Sequence, residues 1–294
     1  MKVTVLGSTG TIGSAVSREL KLQGHEVTTP GRGALGALNL AGQDAVISCL
    51  ASRTGIPREA WAVDHKLNAR ALEAAEAASV KHFVMLSALC VQKPRLAFQY
   101  AKLQFENELQ ASGLTWTIVR PTAFFKSLSG QLHRVRAGKP FLAFGNGKLT
   151  ACKPISDADL ARFIVLCLTD PNKQNAILPI GGPGPALTPN DQAILLGEAL
   201  GAEVKTRSVP PGLLKIIAAV LSLPGKVFWT PRLLEKAALA RIGHYYATES
   251  MLVWDGEKYD ADATPEYGSE TLADHYRALA KGEAVDDRGA HAVF

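Results

Sequence analysis

The sequence predicts an α/β protein built on a doubly wound parallel sheet, with a smaller C-terminal lobe. Three observations carry that prediction. Apolar strand segments alternate with helical segments through the first half of the chain, as a parallel sheet covered on both faces requires. The first strand runs directly into a glycine-rich turn, Val3-Thr4-Val5-Leu6-Gly7-Ser8-Thr9-Gly10-Thr11-Ile12-Gly13, which opens an amphipathic helix with Ala15, Val16 and Leu20 on one face. At 294 residues the chain is long enough for one large α/β unit, or for a core plus a smaller lobe.

The elements follow in order. Glycines at these spacings let the backbone turn tightly and approach a pyrophosphate, and the helix start presents free N–H groups to it. Residues Gly7, Ser8, Thr9, Gly10, Thr11, Ile12 and Gly13 are therefore the first cofactor-binding candidates. His25 to Thr29 reads as the second strand and Asp44 to Leu50 as a buried one. Leu67 to Ala78 is helical, His82 to Ser87 a strand, Tyr100 to Ala111 a helix and Thr115 to Arg120 a strand. Beyond them, Phe141 to Lys153 is punctuated by glycine and reads as a hairpin. Ser156 to Leu168 begins with a capping serine and the acidic pair Asp157 and Asp159. Ile177 to Ile180 is a short strand, and Thr188-Pro189-Asn190-Asp191 starts another helix. Residues 1–125, completed by about 156–182, form the expected Rossmann core, and residues 126–155 and 183–294 the expected substrate lobe. The last ten or so residues read as disordered.

Composition narrows the class. The formal net charge of +5 is scattered, which argues against nucleic acid and suits an anionic small molecule. Cys49, Cys90, Cys152 and Cys167 show neither Cys-x-x-Cys pairing nor histidine clustering, so neither a metal site nor a disulfide framework is expected. Leu213 to Leu223 is the most apolar stretch, but it contains Lys215 and falls short of the ~20 residues of a spanning helix. With the basic residues around it, Leu213 to Trp229 is a candidate for contact with a lipid surface. The early start of the first strand leads to the expectation of a cytoplasmic protein without a signal or transit peptide.

The Gly-x-x-Gly-x-x-Gly spacing resembles the short-chain dehydrogenase/reductase superfamily, in its extended and atypical branches. After the second strand comes Pro30-Gly31-Arg32-Gly33, with no carboxylate for a ribose hydroxyl. Arg32 can pair with a 2′-phosphate, which favours NADPH. Leu50, Ala51 and Ser52 at one strand end, and Ser87 at the next, should border the nicotinamide. In the superfamily a Tyr-x-x-x-Lys pair protonates a carbonyl, and its lysine binds the nicotinamide ribose. Lys102, followed at i+4 by Glu106, matches that lysine, but the tyrosine position is Phe98, which can donate no proton. Tyr100, two residues from Lys102, faces away from it on a helix. The resemblance thus makes Lys102 and Ser87 the catalytic candidates and argues against ordinary carbonyl reduction. Pro121, Thr122, Ala123 and Phe124, after the next strand, are expected over the nicotinamide.

Longer stretches carry a narrower likeness: Cys49-Leu50-Ala51-Ser52-Arg53, Leu86-Ser87-Ala88-Leu89-Cys90-Val91-Gln92-Lys93-Pro94, Phe98-Gln99-Tyr100-Ala101-Lys102-Leu103, Ile118-Val119-Arg120-Pro121-Thr122-Ala123-Phe124-Phe125-Lys126 and Gly145-Asn146-Gly147-Lys148-Leu149-Thr150-Ala151-Cys152-Lys153-Pro154. These resemble the 3,8-divinyl (proto)chlorophyllide a 8-vinyl reductase family, an atypical, NmrA-like branch. The resemblance implies an NADPH-dependent oxidoreductase of (bacterio)chlorophyll biosynthesis that reduces a vinyl group on a magnesium tetrapyrrole, in the bacterial cytoplasm with peripheral contact to photosynthetic membranes. Charge formed beside a conjugated macrocycle spreads into the ring, so a missing phenol fits that chemistry. Phe125 and Phe144, with Phe141, Phe228 and Trp229, are candidate walls for the macrocycle. Lys126, with Arg134, Arg136 and Lys148, is a candidate for its propionate, and His133 for its magnesium. Between Arg32 and Asp44 the chain is shorter than the family implies, as if a helix–strand pair were missing. Two rivals stay open: an NADP-sensing regulator without turnover, and a reductase of another conjugated C=C bond.

Overall fold

A computed structural model describes residues 1–31, 33–34, 37–227 and 230–284, leaving aside the side chains of 224–227. In chain order it runs β1 (Lys2–Leu6), α1 (Thr11–Leu22), β2 (Glu26–Thr28), β3 (Ala45–Ser48), α2 (Pro57–Ala60), a π-helical segment (Trp61–Leu67) and α3 (Asn68–Ala77). There follow β4 (His82–Leu86), α4 (Ala97–Ala111), β5 (Thr115–Pro121), α5 (Phe125–Leu128), α6 (Leu132–Arg136), β6 (Phe141–Phe144), α7 (Asp157–Leu166) and β7 (Ala176–Ile180). The last elements are α8 (Pro189–Leu200), β8 (Thr206–Val209), α9 (Gly212–Val227), α10 (Pro231–Thr248), β9 (Val253–Trp254), β10 (Tyr259–Asp260) and α11 (Leu272–Lys281).

Two compact units divide the chain. The first comprises Met1–Ser52, Arg58–Pro121 and Asp157–Ile180. Its sheet has the strand order β2-β1-β3-β4-β5-β7 among the described residues, with every pairing parallel. β3 is buried along its whole length because it is covered on both faces, whereas β2 is an edge strand with mostly exposed residues. Leu6, Val46, Leu72, Phe83, Phe105 and Ile118 belong to one core cluster, with Phe83 and Phe105 meeting edge-on at 5.8 Å.

The order reverses at β1, which has β2 on one side and β3 on the other. In doubly wound sheets such a switch point is where ligands bind, beyond the carboxyl ends of the strands. Residues 29–44 join β2 to β3 and contain no α-helix or strand among those described. A parallel crossover needs a dozen or more residues for its helix alone, so this connection has no room for both a helix and a further strand. The sheet therefore stops at β2, as the short sequence between Arg32 and Asp44 implied.

The second unit comprises Arg53–Pro57, Thr122–Ser156 and Gly181–Phe294. Phe125, Leu132, Phe141, Leu196, Tyr276 and Leu279 lie in its core cluster. Thr188 caps α8 as expected: its Oγ1 accepts from Asp191 N at 3.3 Å, its own N–H donates back to the carboxylate at 2.8 Å, and Pro189 takes the first turn. One expectation fails. Residues 141–153 do not form a hairpin; β6 pairs in parallel with β8, more than sixty residues on. Gly145 and Gly147, both at positive φ, turn the chain away after β6 instead of folding it back along the strand. The expected disorder after residue 284 lies outside the described residues, as do Phe228 and Trp229.

Candidate active site

The glycine turn sits at the switch point of the first unit. Gly7 has φ +74°, and a Cβ there would come within 2.7 Å of the Cys49 carbonyl oxygen, on the loop that leaves β3. A Cβ on Gly13 would lie 2.2 Å from Gly7 O, so glycine at both positions is a steric requirement. Gly10 N–H closes the turn on Gly7 O at 3.0 Å, and Gly10 is the N-cap of α1. No side chain caps that helix and no acidic residue lies in its first turn, an arrangement that suits an anion at its N-terminus. Thr9 and Gly10 are exposed and Ser8 and Thr11 half-buried, so these present themselves to a ligand. Ile12 and Leu50 do not: both are buried side chains of the core, and only their backbone can serve a cofactor.

Beside the turn, along α1, a hollow of about 510 Å³ is lined by Ser8, Ser14, Arg18, Lys21 and Thr29. It lies along the flank of α1 on the side where the sheet stops early. Arg18 and Lys21 were not singled out from the sequence; their i,i+3 spacing on the exposed face of α1 was the signal available. Arg32 lies outside the described residues.

Two buried polar clusters lie at the carboxyl ends of β3, β4 and β5. In the first, Lys102 Nζ sits 3.2 Å from Asp64 Oδ1, with the two side chains 6% and 1% exposed. The same ammonium donates to Leu86 O at 3.4 Å, and the Asp64 carboxylate accepts the Ser52 N–H at 3.3 Å. An ammonium has three N–H donors, so one remains to point at a ligand. Asp64 lies in the π-helical segment, a rare local form that recurs at functional sites. In the second cluster Ser87 Oγ donates to Glu106 Oε1, and Arg120 grips the same carboxylate through Nη2 and, at 3.2 Å, through Nε. The i,i+4 spacing suggested that Glu106 would pair with Lys102; it pairs with Arg120 instead. Burial pushes the Cys49 thiol up to about 12, with the Lys102 ammonium opposing, so the thiol stays protonated at neutral pH.

Phe98 is buried, four residues before Lys102 on α4 and hence on the same face. Tyr100 is 49% exposed, and its hydroxyl donates to Pro94 O at 3.0 Å. The phenol is turned outward, as its spacing implied.

In the second unit, Thr122 is buried and its hydroxyl donates to Lys153 O. Ala123 and Phe124 are half-buried and form a short parallel bridge with Ile155, whose N–H reaches Ala123 O at 3.0 Å. Phe125 and Phe141 are core residues, not walls: each is under 5% exposed within the apolar cluster. Phe144 and Lys126 are half-buried and His133 is exposed. Arg134 and Arg136 are committed to carbonyls: Arg134 Nε to Pro140 O at 2.7 Å, and Arg136 to Leu279 O at 3.1 Å, at the end of α11. Lys153, also buried, pairs with Glu266 at 2.5 Å. Among the described residues no cluster of His, Cys, Asp and Glu could hold a metal ion.

The glycine turn at the switch point of a parallel sheet, with a buried lysine at the neighbouring strand ends, defines a dinucleotide-binding protein of the short-chain reductase type. A family profile described as NAD(P)H-binding matches residues 37–171. The structure of an NADPH-dependent quinone oxidoreductase from Escherichia coli, complexed with NADPH, superposes with a TM-score of 0.65 at 19% identity, covering 94% of this chain and 99% of the other. At that identity the likeness shows the fold. Divinyl chlorophyllide a 8-vinyl-reductase of Oryza sativa subsp. indica is 42% identical over 333 residues, covering 99% of this chain and 82% of its own length. The Cucumis sativus protein of the same name is 49% identical over 259 residues, covering 85% of this chain; the match spans only 61% of that relative. The chain belongs to the divinyl chlorophyllide a 8-vinyl-reductase family. The rice alignment is longer than the 294 residues of this chain, so that relative carries residues this chain lacks.

Proposed function

We propose that the protein catalyses the NADPH-dependent reduction of the 8-vinyl group of a divinyl chlorophyllide-type magnesium tetrapyrrole to an ethyl group. The observation that carries the reading is Phe98, buried on the same face of α4 as Lys102 where a carbonyl reductase of this superfamily has its proton-donating phenol. Membership of the family supports the substrate class.

The residues fit a dinucleotide. The cradle between Gly7 and Gly13, which a Cβ would fill, takes the diphosphate against the N-terminus of α1. Arg18 and Lys21, with Ser8 and Thr29, serve the adenosine phosphate, since Thr28-Thr29-Pro30 brings no carboxylate to the end of β2. Lys102, fixed by Asp64 and Leu86 O, offers its remaining N–H to the nicotinamide ribose. NADPH, when bound, supplies the hydride for one vinyl carbon.

The second carbon takes a proton. Ser87 is no acid for it, because its hydroxyl proton is committed to Glu106. The charge left by hydride addition is spread over the macrocycle, so holding the vinyl group in line matters more than stabilising a single oxygen. Phe144 offers an apolar surface and Lys126 a cation for a propionate.

Mixing the purified protein with NADPH and divinyl chlorophyllide tests the reading. The Soret band should move to shorter wavelength as the 8-ethyl product forms, with one NADPH consumed per product. An unchanged spectrum with tight NADPH binding would assign the protein to sensing instead. Turnover of small conjugated phenolics at comparable rates would assign it to another double bond.

A further inference from the structure

In the second unit α9 is packed inside out. It packs on α10. Among its described residues α9 buries only the small Ala218 and Ser222, with Arg241 Nη2 donating to Ser222 Oγ, while α10 buries Ala237, Ala238, Ala240, Ile242 and Tyr245. What α9 turns outward is large. Leu213, Ile216, Ile217, Val220 and Leu223 recur at helical spacing on one stripe, with Ile216, Val220 and Leu223 62%, 64% and 70% exposed. A helix that serves only the core of its own unit presents the opposite arrangement. A continuous apolar stripe of this kind marks an interaction surface.

Charge identifies the occupant. Over residues 212–241 the sequence places Lys215, Lys226, Arg232, Lys236 and Arg241 against the single acid Glu235, in a chain whose formal net charge is only +5. Arg232 and Lys236 are exposed, as is Lys215 on the flank of the stripe. Long basic side chains beside an apolar face suit the boundary of an anionic bilayer, with methylenes against the acyl region and ammonium groups among phosphates. No helix among the described residues is long and apolar enough to cross a membrane, so α9 would lie in the surface plane.

We propose that the outward face of α9 is a docking surface for an anionic lipid bilayer, on which the protein rests peripherally. None of the residues substituted below is assigned to cofactor or substrate, and vesicle binding is read without turnover. The full chain is floated with vesicles of phosphatidylcholine alone or mixed with phosphatidylglycerol. It should rise with the anionic vesicles, stay behind with the neutral ones, and be released by added salt. The double substitution Ile216→Glu and Leu223→Glu removes apolar contact at exposed positions. It should keep the parent melting temperature and lower vesicle binding by at least about tenfold. Lys215→Glu should lower it by at least about fivefold.

Failure of the parent to float, or equal flotation of the double variant, overturns the proposal. So does a concentration-dependent dimer that the double substitution dissolves, since it assigns the stripe to a second copy of the chain.

Discussion

The two ends of the nucleotide groove in the first unit are built to opposite specifications. At the carboxyl ends of β3 to β5, Lys102, Asp64, Ser87 and Glu106 are each buried and committed to a partner within one shell. Along α1 and at the end of β2 the sheet stops early and an open hollow is bordered by solvated cations. The first end is fixed because buried charges survive only when paired, and the pairing then determines where each group points. The second end is held by little, because the connection from β2 to β3 is too short to add a helix and a further strand beside it. In the proposed reaction the fixed end is where a hydride is delivered and the open end is where a nucleotide is only gripped.

Four experiments break or sharpen that contrast, the largest effect first. Asp64→Asn leaves the Lys102 ammonium buried without its counter-charge and should destabilise the fold by about 3–5 kcal/mol, read as a lower urea midpoint. Adding Lys102→Met should recover most of that stability while NADPH affinity, measured by fluorescence titration, stays low. Recovery of both would remove Lys102 from the cofactor site.

The next largest effect tests the scaffold. His82 begins β4, at the end of the sheet away from the site, and its ring shares a 2.9 Å hydrogen bond with Thr117. Burial pushes its pKa from 6.5 down to about 4. Its folded value is below its unfolded one, so the unfolded chain binds more protons in between. The contribution of His82 is intact above pH 6.5 and is lost as pH falls toward 4, by up to about 3 kcal/mol. Melting curves across that range should show the loss, and His82→Asn should flatten it.

Arg18→Ala probes the open end. It should weaken NADPH about fivefold and NADH hardly at all, with no change in melting temperature. Equal losses for both nucleotides would place the phosphate elsewhere. Tyr100→Phe, the smallest effect, should leave the rate of vinyl reduction unchanged. A large fall would reinstate the phenol as the acid.

Much of the scaffold was legible in the chain itself. The turn from Gly7 to Gly13, the alternation of strands and helices and the outward orientation of Tyr100 depend on spacing along the chain, and the short stretch after Arg32 was read against the family the chain resembles. Pairings between distant elements were not legible. Asp64 reaches Lys102 from a π-helical segment, whose wider turn departs from the period used to read helices. Glu106 stands at i+4 from Lys102, yet Arg120 on the adjoining strand claims it. Phe125 reads equally as pocket or core, and only its neighbours Leu132 and Tyr276 decide for core. The parallel union of β6 with β8 joins segments with no local signal linking them.

The sequence alone therefore determined the class of fold and the glycine turn, which follow from local geometry, while its resemblance to the short-chain reductases singled out Lys102 and the phenylalanine at position 98. Tertiary structure decided which charges are paired, which aromatics are interior and which helix turns its large apolar side chains outward. Those outcomes depend on what another part of the chain brings within a few ångströms, and burial makes the choice of partner an energetic necessity that no local pattern encodes.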